Sequence, residues 1–444
     1  MASALSRVAG APRSISAAVA ALTLALAMAL APPAVARAGW SRPFQLAPPG
    51  TLDVQAPRLA ISPTGSAAAA FGIGDVDTPG SFGAYLTLRS SRRRVAPPAA
   101  VPGAAETLAL AYDGRYLELL IGSHSAGMTC CSGARAIRVG PGGRLERPRT
   151  LVRGLAGATT GRLLTLGDGG MVAAIATARG VWVVQSRHGN RFARTHRLTR
   201  ARQMPESLAA AWLGGDGSIV AWTAARGGAG DSAPGSVSYA LGSRTRAPAA
   251  PRTAVRVAAG HRIDELGVAP SATGETVAWI ESWYDARGGY HSVVRASDIG
   301  RGARARTLSP AGRLASGLTF AGDPAGDQSL SWEACTPSAA CVVQAATRRA
   351  RGSFGRRHTL GPVDLSQAPS LAIGPDGETV VGWVRGGSPF AALDRRPGGG
   401  FGSRARLSPT PYAYDVRVAA GPRHRSLVAW TQGTLNPSVV AAER

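Results

Sequence analysis

Apolar and polar residues along this chain alternate with a period of two, in runs of about four to eight residues separated by Gly- and Pro-rich turns. Residues 370–408 show the pattern in full. Ser370 to Gly374 is small and apolar, and Pro375-Asp376-Gly377 turns into a second run, Glu378 to Val384. A third run spans Phe390 to Arg395, and Pro397 to Gly400 turns into a fourth, Phe401 to Ser408. The punctuation predicts four short antiparallel strands. A wholly small, apolar first strand suits a crowded inner position, and Arg404-Ala405-Arg406-Leu407 alternates as a half-wet outer strand does.

The same phrase recurs along the chain. Its first strand returns near Leu59, Leu108, Leu163, Leu208, Leu266, Leu318, Leu371 and Val418. The second strand ends in an aromatic residue in most copies: Phe71, Trp222, Trp279, Trp332, Trp383 and Trp430. Short strands repeated about every fifty residues predict a toroid of sheets. The expected fold is all-β, a single β-propeller of eight four-stranded blades. Seven blades remain the alternative, because the second and third repeats are degenerate. The aromatic series is expected to wedge between blades, each ring burying on the order of 150–250 Å².

Both chain ends fit a closed ring. Gly39-Trp40-Ser41-Arg42-Pro43-Phe44-Gln45-Leu46-Ala47-Pro48 matches the fourth-strand phrase Gly400 to Pro409, and the last repeat stops after its third strand, Ser438 to Ala442. The N-terminal strand is therefore expected to complete the last blade and remove two open sheet edges. Residues 1–38 read as a secretory signal peptide, with Arg7 and Arg13 before an apolar run from Ile15 to Leu30 and Ala36-Arg37-Ala38 at the cleavage point. The propeller domain is then 39–444, outside the cytoplasmic membrane and without a membrane span.

Charge changes the picture less than its size suggests. Removal of Arg7, Arg13 and Arg37 takes the formal charge from +24 to +21, and the chain contains no lysine. The arginines are spread over the repeats and the chain carries an export signal, so no nucleic-acid partner is expected. A P-loop and Schiff-base chemistry both need an amine and are excluded. Histidines 124, 188, 196, 261, 291, 358 and 424 show no metal-binding spacing, and there is no G-x-S-x-G. No metal or cofactor is expected. The four cysteines suit an oxidising compartment, with Cys335–Cys341 and the adjacent Cys130–Cys131 as candidate disulfides.

In a propeller, the loops that enter the first strand and those that join the second to the third share one face, the mouth of the channel. Asp53, Glu106, Glu206, Asp264, Glu265, Asp364 and Asp415 all precede a first strand, in six of the eight repeats. Such acids suit binding of a cation or basic group, or acid–base work on a glycan, and equally the capping of turns and pairing with arginine. The fifth repeat adds Glu281, Trp283, Tyr284 and Asp285, expected in an exposed loop; Trp283 stands outside the repeated Trp series. Asp75-Val76-Asp77 begins like a calcium loop, but Leu86 holds the place of its twelfth ligand.

The turns Ser62-Pro63-Thr64-Gly65 and Gly374-Pro375-Asp376-Gly377, each followed by an apolar strand, resemble the PD40 repeats of TolB-like, WD40-like propellers. That resemblance implies a secreted bacterial propeller scaffold with a binding role. Asp216-Gly217-Ser218-Ile219-Val220-Ala221-Trp222 does not have the Asp-box spacing of sialidases. The leading expectation is thus an exported, monomeric propeller that recognises a cell-envelope glycan or a surface protein. The alternative is a glycan-active hydrolase or lyase that uses mouth carboxylates.

Overall fold

The computed structural model describes residues 39–444 except 51–52, 75–82, 93, 105, 124–132, 154–159, 168, 178, 187–191, 194, 200–204, 225–234, 244–245, 247, 301–303, 366, 397 and 435. Every regular element among the described residues is a β-strand, and the strands form eight antiparallel sheets. Seven sheets have four strands. In blade one the inner strand is in two pieces, Asp53–Val54 and Arg58–Ile61, and both pair with Ala67–Gly74. The other inner strands are Glu106–Asp113, Thr160–Thr165, Pro205–Trp212, His261–Ser271, Leu314–Gly322, Ser370–Ile373 and Ala413–Ala420. Each carries its repeat's Leu or Val marker. Successive inner strands touch, and Arg58–Ile61 touches Ala413–Ala420, so eight blades make a closed ring.

Closure takes the form expected from the chain ends. Phe44–Ala47 runs antiparallel to Ser438–Glu443 as the outer strand of blade eight, with Phe44 opposite Ala441. Ser41 N–H donates to the Glu443 carbonyl at 2.7 Å, and Glu443 N–H donates to Ser41 Oγ at 3.0 Å. Trp40 is buried among blade-seven and blade-eight residues, including Val380, Val384 and Trp430. A buried ion pair, Arg89–Glu443, ties blade one to blade eight.

The core lies between blades. Phe71, Trp222, Trp279, Trp332, Trp383 and Trp430 are all at most 1% exposed, and each packs into the cluster it shares with the preceding blade. In the degenerate blades, Ile121 and Ile175 take that place. A ring that buries its whole surface contributes roughly 4–6 kcal/mol gross at ~25 cal/mol per Å², which explains why an aromatic recurs there. Trp430 Nε1–H is satisfied within its own strand by Gln432 Oε1 at 2.9 Å.

Several of the few acids hold neighbouring blades together. Arg348 of blade six donates to Asp298 Oδ1 of blade five at 2.8 Å, and Arg444 of blade eight pairs with Glu378 of blade seven. Cys335 and Cys341 form a disulfide across the loop joining the second and third strands of blade six. Cys130 and Cys131, the residues 1–38 read as a signal, and the Asp75 loop lie outside the described residues.

Candidate functional site at the channel mouth

All seven mouth carboxylates stand at the end of the ring where the inner strands begin. In three blades a β-bulge sets them there. Register shifts fall between Pro205 and Ser207, Ile263 and Glu265, and Tyr414 and Arg417, and Glu206, Asp264 and Asp415 occupy the extra positions. A bulge re-aims a side chain without unpairing the rest of the strand. Asp415 also has φ +53°, a left-handed conformation uncommon for a residue with a Cβ, and its N–H donates to Gln367 Oε1 at 3.0 Å.

The acids do not form one uniform ring, because several are committed to protein groups. Asp364 accepts the N–H groups of Gly386 and Gly387 at 2.7 and 2.8 Å and shapes the turn of blade seven. Glu265 accepts N–H from Gly317 and Leu318 of blade six at 2.8 and 2.5 Å. Burial raises its pKa, against the effect of those two hydrogen bonds. Asp264 pairs with Arg262 and lies 3.4 Å from the Tyr290 hydroxyl. Glu206 and Asp53 are exposed, while Glu106 and Asp415 are half-buried. The charges of Glu106 and Asp415 both act on the Arg58 guanidinium.

Blade five departs from the expected loop. Its second strand, Gly274–Tyr284, continues through Glu281, Trp283 and Tyr284, and only Asp285 to Gly289 turns. The strand runs five residues past Trp279, against three past Trp332 and two past Trp383. The two or three extra residues raise this hairpin by roughly 7–10 Å. The strand persists because Glu281 to Tyr284 pair in register with Tyr290 to Val293, and Trp and Tyr suit a pleated surface.

Within that hairpin, Glu281 is buried, with His261 Nδ1 at 2.6 Å and Arg295 Nε at 3.0 Å. Trp283 is half-buried rather than exposed, because its ring lies between His261 at 4.7 Å and His291 at 5.2 Å. Asp285 closes the turn by accepting from the N–H groups of Arg287 and Gly289, and it lies 2.8 Å from His291 Nε2. Tyr284 faces solvent, 70% exposed, with its ring tilted 5.3 Å from that of Tyr290. Of the four blade-five candidates Tyr284 and Asp285 are exposed, and Asp285 is already committed to its own turn and to His291.

The large apolar residues left exposed gather on one face. The large hydrophobic residues left exposed among the described residues are Tyr284 at 70%, Tyr290 at 42%, Leu365 at 62% and Tyr412 at 62%. All four lie at the mouth: two on the blade-five hairpin, and one each in the segments entering blades seven and eight.

Sequence reasoning missed the channel itself. Arg58, Arg162 and Arg417 line one cavity of about 240 Å³, together with Leu59, Leu108, Leu163 and Val418. The three arginines share one layer. Each pairs with the residue just before the inter-blade aromatic or Ile: Arg58 with Ala70, Arg162 with Ala174, Arg417 with Ala429. The other five blades place Ala109, Ala209, Gly267, Thr319 and Ser370 in this layer, all small. A signal was present, since Arg interrupts otherwise small inner strands at Arg58-Leu59, Arg162-Leu163 and Arg417-Val418. It was hidden by the abundance of arginine.

No family model matches the chain, and no curated protein matches it. Among solved structures it is similar to a protein of unknown function from Dyadobacter fermentans, at 9% identity, 91% of this chain and 98% of that one, with a TM-score of 0.44. It is also similar to an ulvan lyase of a polysaccharide lyase family, at 10% identity, 90% and 95% coverage and a TM-score of 0.44. A third similar structure is an α-L-arabinanase of Penicillium chrysogenum complexed with arabinobiose, at 10% identity, 91% and 98% coverage and a TM-score of 0.46. With TM-scores of this size, the eight-bladed ring is read from its own strand pairings.

Proposed function

We propose that this protein is an exported binding propeller whose mouth face takes a glycan of the cell envelope. The supporting observation is that all four large hydrophobic residues exposed among the described residues stand on that one face, three of them tyrosines. Exposed apolar groups gathered on one face mark a contact surface. Tyrosine suits a sugar in particular: its ring covers the apolar C–H face of a pyranose, and its hydroxyl hydrogen-bonds at the edge. The raised blade-five hairpin sets Tyr284 and Tyr290 above the rim, and Tyr412 stands at the entry to blade eight.

The test is binding of residues 39–444 to an array of bacterial envelope glycans, repeated with Tyr284→Ala and Tyr412→Ala. Loss of about ten-fold or more in affinity, with unchanged thermal unfolding, is the expected result. Binding that survives both changes would sink the reading. The alternative, glycan cleavage, draws on one observation: Glu106 and Asp415 are the acids that act on the channel-lining Arg58. Release of new sugar ends from a bound glycan, abolished by Asp415→Asn, would replace binding with catalysis as the function.

A further inference from the structure

We propose that the channel holds the carboxylate of an acidic sugar, gripped by Arg58, Arg162 and Arg417 on the inner strands of blades one, three and eight. The chemistry of the anion follows from the arginines alone, and only its being part of a sugar rests on the glycan reading above.

Three like charges in one cavity oppose folding unless something answers them. Among the described residues none of the three is within ion-pair distance of a carboxylate. Each makes a single hydrogen bond there, to a main-chain carbonyl: Arg58 Nε to Thr107 at 3.2 Å, Arg162 to Gly161 at 3.0 Å, and Arg417 to Val416 at 2.9 Å. A guanidinium carries five N–H donors, so most of this donor capacity is open to the cavity. Enclosure by the ring, and then the Arg58 and Arg417 charges, push the Arg162 guanidinium down to about 10. Its side chain is nonetheless exposed to solvent, and it stays charged at neutral pH.

Arg58 feels Arg417 in the same way, with Glu106 and Asp415 partly offsetting it. Arg162 has no acid among the influences on it, which makes it the centre of the unanswered charge. The repulsion is not diffuse, because the register places the three side chains in one layer, with only Ala109 of blade two between Arg58 and Arg162.

The ligand class follows from the shape and the donors. Forked guanidinium groups match the planar, two-oxygen geometry of a carboxylate, and the cavity walls beside them are aliphatic. A space of about 240 Å³ lies below the ~300–1,000 Å³ of drug-sized sites, so it takes one sugar ring and not a chain. A uronic acid residue supplies both the carboxylate and the ring, and the rest of its glycan would lie across the tyrosines of the mouth.

The experiment is calorimetric titration of residues 39–444 with glucuronate, with glucose as the neutral partner, and with an oligogalacturonate to separate a free sugar acid from one within a chain. The expected result is binding of a uronate, no binding of glucose, weakening with added salt, and at least a ten-fold loss in Arg162→Gln. Because that change relieves repulsion, its melting temperature should not fall below that of the parent. If Arg162→Gln fails to fold, Arg417→Gln carries the same expectation. Failure of both uronates to bind overturns the proposal, as does binding that persists in the arginine variants. Gln45→Ala, on the outer strand of blade eight, should leave glucuronate binding intact, and glucuronate binding that persists while no envelope glycan is bound tells failure at the mouth from failure in the channel.

Discussion

Replacing Trp40 by alanine tests the ring closure most directly. The indole is 6% exposed at the junction of blades seven and eight, and Leu46 and Ala47 of the same segment are 3% and 1% exposed. Truncating a buried Trp of this kind costs about 3–5 kcal/mol, because lost transfer energy and the cavity left behind add together. At about 2.1 cal/mol/K of unfolding entropy per residue, each kcal/mol moves the midpoint of a domain this large by about 1.2 °C, which gives a drop of about 4–6 °C. Gln45→Ala is the control, since Gln45 is on the exposed side of the same strand and its loss should cost no more than about 0.5 kcal/mol. Deletion of residues 39–47 should go further, uncovering Ser438–Glu443 as an open edge and promoting aggregation. Scanning calorimetry and light scattering read both effects. A Trp40→Ala midpoint within about 1 °C of the parent would show that the N-terminal strand does not hold the ring shut.

Two further outcomes follow from single residues. Cys341→Ser opens a loop with a sequence separation of 6, and in the chain-entropy model this costs about 2–2.5 kcal/mol, measurable by urea unfolding with and without reductant. A reductant that does not destabilise the parent would contradict it. Glu333 is 3% exposed, and burial raises its pKa while a hydrogen bond from Ser316 works against the shift. A carboxyl raised in the folded state stabilises fully below the ordinary carboxylate pKa, and that contribution is lost as pH rises through the folded value. Glu333→Gln should therefore melt above the parent at pH 7, with the gap closing as pH falls towards 4. A gap independent of pH would show that Glu333 does not titrate in that range.

The repeat, the blade count and the ring closure were legible in the chain, and the reason is local. Period-two alternation, Pro/Gly turns and an aromatic about every fifty residues each act within one blade, so a single strand phrase carries its own fold. The matching phrases at residues 39–48 and 400–409 extended this to closure, since an unpaired edge has only one complementary partner. What lies between blades was not legible. Trp283 looked free because its two stacking partners, His261 and His291, come from the strands on either side. The mouth acids looked equivalent, yet Glu265 is committed to amides of the next blade and Asp364 to its own turn. Arg58, Arg162 and Arg417 lie more than a hundred residues from one another and are three of many arginines. Their convergence exists only once strand register puts them in one layer and ring closure brings blade eight beside blade one. Composition and pattern determined the blade, whereas the unanswered positive charge of the channel was decided by the circular arrangement of blades, because electrostatics depends on distance in space and not on separation along the chain.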